Sequence, residues 1–325
     1  MKNSVTICLF FIFVISYGNF FMSCSSTDKL EPTPQNTYDL IEGKLTIHNG
    51  VTSIKNGEFS NKQIINVIIP MSVTSIESSA FDLNKLTNVN IPDSVTSIGG
   101  GAFARNQLTN VIIPNSVSSI GGIAFSNNRL VSIIIPNSVT SIGIGAFSNN
   151  RLTNVTISNG ISSIDNYVFQ NNQITSVIIP DGVTYIGISA FENNQITNII
   201  IPDNVTFIGR NAFQNNLLTS VTIPDRVTSI GEKAFANNPL TSIIISDSIG
   251  SVNENIFSDS LRNVTQISIG SNVNLQGSSV RVGNVTVVGV GEDVVWKSFA
   301  DFYSKNGNRA GAYTFSEGRW SVKFR

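Results

Sequence analysis

Residues 108–129 read LTNVIIPNSVSSIGGIAFSNNR, and the same pattern returns at 22-residue steps from about residue 45 onward. Phe holds one column of this register ten times, from Phe59 to Phe257. Ile holds a second column ten times, from Ile47 to Ile245. A third column holds Ile nine times, from Ile54 to Ile230, and Val252 follows it. Three apolar columns in step define a repeat array, in which a unit too short to bury its own core stacks on copies of itself.

One unit can be read along its length. Val111-Ile112-Ile113 alternates as a short strand does, with Leu108, Val111 and Ile113 on one face. Pro114 has no N–H for a sheet ladder, so the strand ends there. Asn115-Ser116 allows a bend, and Val117 and Ile120 turn inward on the return path. Gly121 sits in a column that is also Gly at 99, 143, 187, 209 and 231, as expected where φ is positive or where backbones crowd. Ala124-Phe125 brings a small and a large side chain to the centre, and the amides of Asn127-Asn128 can satisfy the closing turn. Stacked coils place neighbouring strands about 4.8 Å apart, with stability residing in the interfaces between neighbours. Each buried Phe contributes about 2–3 kcal/mol.

Composition narrows the function classes. The 325 residues carry 20 basic and 21 acidic side chains, and charged residues make up 13% of the chain. That is roughly half the ~25% of an ordinary soluble domain. A net charge of −1 supplies no basic field for nucleic acid. The single histidine, His48, argues against His-based metal centres and triads, and it reads as a substitution in the first coil, where later coils have Pro70 and Pro92. No G-x-S-x-G, H-E-x-x-H or P-loop pattern occurs. Asp93, Asp181, Asp203, Asp225 and Asp247 recur after the strand, but Asn115 and Asn137 share their column, which suits a turn rather than calcium. The expectation is a non-enzymatic chain without a cofactor.

The pattern L-T-x-V-x-I-P-x-x-V-T-x-I-G-x-x-A-F-x-N-N resembles the BspA-type leucine-rich repeat of bacterial surface proteins, and it covers residues 43–258. It departs from the common leucine-rich repeat, whose outer side often carries a full helix; the segment from Ile120 to Phe125 is too short for that. The resemblance implies a β-rich, right-handed coil stack of about ten coils with short helical turns. It also implies a place on a bacterial surface and contact with host or neighbouring-cell proteins.

Core columns are explained by packing, so binding should use columns that point outward. Between the inward residues of each strand lie Ile68, Asn90, Ile112, Ile134, Thr156, Ile178, Ile200, Thr222 and Ile244, flanked by Asn or Ser two residues earlier. An apolar stripe with a hydrogen-bonding edge suits a protein ligand. The competing reading is that β-branched residues merely suit strands. A second column, Ser in most coils, becomes Tyr185 and Phe207 in two adjacent coils, with Arg210 and Arg226 nearby. These aromatics read either as an interface anchor or as drift on a tolerant surface.

The ends read differently. Lys2 precedes an almost wholly apolar stretch over residues 5–21, which reads as an export signal over 1–23, or alternatively as an uncleaved anchor. Phe21-Met22-Ser23-Cys24 resembles the site at which bacterial lipoprotein signals are cut, although Leu and a small residue are more usual at the first two positions. That resemblance implies a lipid on Cys24. Cys8 is the only other cysteine, so a chain starting at Cys24 forms no internal disulfide. Residues 24–42 are then a polar, Pro-bearing tether.

After Phe257 the register slips, and residues 259–291 read as degenerate coils. Within 292–325, Val295, Phe299 and Phe302 share one helical face, Gly307 suits its stop, and 312–315 with 319–324 read as a hairpin. This segment is similar to C-terminal pieces that accompany BspA-type arrays in spirochaete surface proteins. It reads as a small α+β cap over an apolar solenoid end, or as a separate recognition module. The expected whole is an exported chain, lipid-anchored at the bacterial outer membrane or cell surface, which binds an extracellular or host protein. The alternative is an envelope spacer without a specific ligand.

Overall fold

Most 22-residue coils form two short strands joined by turns, because Pro ends the first strand and a crowded column, Gly in most coils, ends the second. Residues 88–91, 110–113 and 198–201 form no first strand. The computed structural model describes residues 37–246, 249, 254–260, 264–269, 305, 311–316 and 319–324. First strands run at Lys44–Ile47, Asn66–Ile68, Ser132–Ile134, Asn154–Thr156, Ser176–Ile178, Ser220–Ile223 and Ser242–Ile245. Second strands are nine two-residue segments, from Ser53–Ile54 to Ser229–Ile230. Neighbouring coils pair in parallel at the register of the repeat: Val155 lies opposite Ile133 and Val177, and Ile98 opposite Ile76 and Ile120. The molecule is a β-solenoid of about nine stacked turns, against the ten expected. A tenth second strand would hold Val252, which lies outside the described residues.

The core is a set of ladders running along the stack. Phe59 to Phe257 stack ring on ring, with centroids 5.3–5.9 Å apart and planes within 4–19° of parallel. Such contacts add about 0.5–1.5 kcal/mol per pair beyond burial. The second residue of each Asn pair is buried and works across two coils. Asn128 Nδ2 donates to Phe103 O, in the previous coil, and to Phe125 O, at 2.9 and 3.1 Å. Its Oδ1 accepts from Leu108 N at 2.9 Å. Asn106, Asn150, Asn172, Asn194 and Asn216 repeat this arrangement. The first Asn of the pair takes a positive φ, 57° at Asn127 and 56° at Asn149, a conformation that asparagine tolerates.

The glycine column is there for crowding and not for φ. A Cβ on Gly121 would lie 2.4 Å from Gly100 N and 2.6 Å from Gly99 C. Positive φ falls two residues later, at Gly101, Ile123, Gly145 and Tyr167 among others. The short helical turns expected on the return path are hydrogen-bonded turns, such as Ala124 N to Gly121 O and Ser126 N to Ile123 O. Glu254–Phe257 is the one 3-10 helix among the described residues.

The stretch expected as a tether, 24–42, includes residues that fold with the first coil. Tyr38–Ile41 forms a strand antiparallel to Lys44–Ile47, joined through Glu42 and Gly43, which both have positive φ. Tyr38 meets Phe59 edge to face at 4.8 Å, so this hairpin closes the first end of the aromatic stack. His48 Nε2 and Asp39 Oδ2 lie 2.8 Å apart and tie the hairpin to the coil. At the other end Gln266–Ile269 pairs in parallel with Ser242–Ile245, offset by 24 residues instead of 22, which is the register slip read from the sequence. Gly311–Ser316 pairs antiparallel with Gln266–Ile269, and Arg319–Phe324 pairs antiparallel with Gly311–Ser316. The export signal, Cys24, the Val- and Gly-rich 280–290 and the expected helix, apart from Lys305, lie outside the described residues.

Candidate functional site

Alternation along the first strand decides what faces out. Val111 and Ile113 are buried while Ile112 is 75% exposed; Ile134, Ile178 and Ile200 are 69%, 83% and 78% exposed, Ile68 is 61% and Ile244 is 38%. All six predicted isoleucines therefore lie on the surface, in one column, as the period of two requires. Asn90, Thr156 and Thr222 share that column and are exposed, as are Asn110, Ser132 and Ser176 beside it. From the second coil to Ser242 and Ile244 neither column carries a charge, while Lys44 stands in the flanking column of the first coil.

The isoleucines are not evenly spread. Thr156 separates the pair Ile112–Ile134 from the pair Ile178–Ile200. The ladder is interrupted elsewhere, within the pairs. Ser132–Ile134, Asn154–Thr156 and Ser176–Ile178 form a three-stranded sheet, with Asn154–Thr156 in the middle. The corresponding segments of the flanking coils, 110–113 and 198–201, form no strand. Each isoleucine pair thus straddles a break in the sheet. At the first break a shallow depression is lined by Asn110, Ile112, Pro114, Ser132, Ile134 and Pro136. Apolar walls beside backbone groups that make no ladder hydrogen bond can take up both the side chains and the main chain of a ligand.

The predicted aromatics occupy a different ladder. Tyr185 and Phe207 are paired in register, half-buried, and stacked with centroids 5.0 Å apart and planes 5° from parallel. They belong to the sheet of second strands and do not join the isoleucine stripe. The sequence reading missed further exposed apolar residues: Val131, next to the stripe, and Ile123 and Ile144 on the return segment. Ile123 stands between Gly101 and Gly145 in its column, and Ile144 between Gly122 and Asn166, which is the signal that marks a large apolar side chain there as unneeded for packing.

Charged groups are structural here. Glu77 accepts from Ser53 Oγ at 2.8 Å, from Lys55 Nζ at 3.2 Å and from Asn56 N at 3.1 Å. These contacts, the Ser53 hydroxyl first, hold its carboxyl below the ordinary range. Arg105 donates through Nε and Nη2 to the buried carboxylate of Asp82, which raises the guanidinium pKa further. Both residues replace the usual occupants of their columns. Among the described residues, no group of three or more His, Cys, Asp or Glu could hold a metal ion. No helix among them is long and apolar enough to cross a membrane.

Ladders of this kind, with function left to outward columns, define a leucine-rich repeat solenoid. The chain belongs to the BspA type leucine rich repeat family: the model of the BspA type leucine rich repeat region matches residues 35–150, 98–217 and 206–280, in six copies. A comparison with curated proteins finds no match. Three solved structures are similar. A leucine-rich repeat protein from Bacteroides ovatus is 21% identical, with a TM-score of 0.42, over 73% of this chain and 88% of that one. A leucine rich cell surface protein from Faecalibacterium prausnitzii is 22% identical, with a TM-score of 0.40, over 79% and 98%. The pneumococcal vaccine antigen PcpA is 20% identical, with a TM-score of 0.44, over 78% and 80%.

Proposed function

We propose that this chain is an exported surface protein, held to the membrane by a lipid on Cys24, which binds a host or neighbouring-cell protein through the isoleucine face of its solenoid. One observation carries the reading. Ile112, Ile134, Ile178 and Ile200 are largely exposed on one face of the solenoid, and each pair straddles a break in the sheet. Isolated exposed apolar residues need no explanation, but two adjacent pairs in one column, rimmed by Asn and Ser, match the apolar centre and polar edge of a protein interface. Family membership supports the same reading, because repeat solenoids present extended surfaces for other proteins. A surface location fits both the family and the leader-like residues 5–21.

Changing Ile112, Ile134 and Ile178 together to Lys tests the site. These side chains contribute little to the core, so the variant should melt within a few degrees of the parent. Saturable binding of the parent to immobilised extracellular-matrix or host-cell proteins should disappear in the variant. Binding that persists unchanged rejects the stripe, and a parent that binds nothing across a broad panel favours a spacer without a ligand. Mass spectrometry of the N-terminus from intact cells reports separately whether Cys24 carries lipid.

A further inference from the structure

The isoleucine face is neutral along its middle and charged at two corners. Arg129 and Arg151 stand at the entrance of the strands that carry Ile134 and Thr156, in a column that is Gln at 107, 173 and 195. Asp181 and Asp203 stand at the exit of the segments that carry Ile178 and Ile200, in a column that is Asn at 115, 137 and 159. All four are exposed, and none forms an ion pair among the described residues. The exit column borders the stripe, because Asp93 and Asn115 line the same depression as Ile112 and Ile134. One half of the face is thus flanked by cations on the entrance side, and the other half by anions on the exit side.

This layout disfavours a second copy of the chain. A two-fold axis along the strand of Thr156 would lay Ile112 over Ile200 and Ile134 over Ile178, but it brings the two copies of Arg151 together. An axis along the stack sets Arg129 and Arg151 over Asn137 and Asn159, and leaves Asp181 and Asp203 over Gln173 and Gln195. Neither arrangement pairs a cation with an anion. Spacing then decides between a helix and an extended chain from another protein. Paired strands lie about 4.8 Å apart, so the five residues from Ile112 to Ile200 span roughly 19 Å. An α-helix laid along the stack returns a side chain to one face every ~5.4 Å and runs ahead by only about 2.4 Å over four coil steps. An extended chain returns one every ~6.7 Å and is already about 4 Å out of step after two coils.

We propose that the isoleucine face takes one amphipathic helix of a partner protein, with an apolar residue at each of about four turns. Acidic residues lie at the end of that helix near Arg129 and Arg151, and basic residues at the end near Asp181 and Asp203. The inference rests on the reading of this face as a protein-binding site, and adds the shape and charge order of what it binds.

The repeat itself supplies variants that should fold. Arg129→Gln with Arg151→Gln, and Asp181→Asn with Asp203→Asn, place residues that the same columns carry in other coils. The probe is a stapled helical peptide of about 18 residues, with Leu at each turn, Glu in one half and Lys in the other. Calorimetric titration of the full chain at low salt should show saturable binding. Each double variant should weaken it about fivefold or more at the parent melting temperature, and the difference should shrink as salt rises. The triple Lys variant of the face should not bind the probe. Two control peptides should bind more weakly: one of the same composition with Leu at every second residue, and one with only Lys on its polar face. The proposal is overturned if the helical probe does not bind, if either control binds as tightly, if both double variants bind like the parent, or if the parent dimerises through this face. Should host-cell proteins bind the parent and not the triple Lys variant while the probe binds neither, the helix is refuted and the binding face stands; a parent that binds nothing in either assay refutes both.

Discussion

Two adjacent asparagines close six of the coils, from Asn127-Asn128 to Asn237-Asn238, and they do different work. Asn150 is buried, accepts from Leu130 N and donates to Phe125 O and Phe147 O. Asn149 sits at a φ of 56°, and its Oδ1 accepts from Asn171 at 2.8 Å on the surface. Replacing Asn150 with Ala strands the buried N–H of Leu130, at about 1–3 kcal/mol, while Phe125 O and Phe147 O keep the amides of Asn128 and Asn172 as donors. Thermal or chemical unfolding should therefore show Asn150→Ala losing about 1–3 kcal/mol. Asn149→Gly should stay within about 1 kcal/mol of the parent, because Gly adopts positive φ freely. Equal losses at the two positions would contradict the division of labour. Gly121 makes a related case: its Cβ would fall 2.4 Å from a backbone nitrogen of the preceding coil, so Gly121→Ala should destabilise by more than about 1 kcal/mol although Ala is the better-ordered residue elsewhere.

At the scale of elements, the ends of the stack are the places where a solenoid can fail. An open end offers apolar rungs and an unpaired edge, the ordinary route to aggregation. Tyr38–Ile41 covers the first end as an antiparallel strand, and the hairpin of Gly311–Ser316 and Arg319–Phe324 extends the sheet at the other. Removing residues 292–325 should convert a monomer into aggregating material on size-exclusion chromatography; a monomeric truncation as stable as the parent would remove the capping role. Between coils one and two, Glu77 is a pH-sensitive clasp. Its carboxyl titrates below the ordinary range, so its contribution is present above that range and is lost as pH falls through its lowered pKa. Hydrogen exchange at Asn56, whose amide Glu77 accepts, should accelerate in Glu77→Gln at neutral pH and only on acidification in the parent.

The repeat made most of this legible, and its gaps have physical reasons. Phe, Ile and Asn columns announce their burial because every coil meets the same neighbours, so a tolerated change in one coil stands out against the rest. The exposure of Ile112 follows from alternation about Val111 and Ile113, and the contact of Tyr185 with Phe207 follows from their spacing of 22 residues. The N-terminal strand was hidden because Tyr38 belongs to no column and its hairpin turns on Glu42-Gly43 just outside the array. Breaks in the ladder were equally hidden: Asn110 to Ile113 reads NVII and Asn198 to Ile201 reads NIII, yet Ser132 to Ile135, with SIII, forms a strand. The distinction lies in how the backbones of neighbouring coils settle against one another, and no single coil records it.

For the whole molecule, one coil is one unit of stacking energy, with the Phe and Asn ladders running through every interface. Stability should then be close to a sum of neighbour terms, and the chain should tolerate loss of a complete unit better than loss of part of one. The most direct measurement compares two deletions by thermal melting and circular dichroism: residues 130–151, one full coil, and residues 130–140, half of one. The full-coil deletion should give a folded, cooperative monomer with a slightly lower melting temperature, because Phe125 and Asn128 then meet Phe169 and Asn172 in the same register. The half-coil deletion should lose its β-sheet signal or melt far lower, because every ladder is thrown out of step. Two deletions with the same outcome, both tolerated or both ruinous, would contradict a spine built from identical stacked windings.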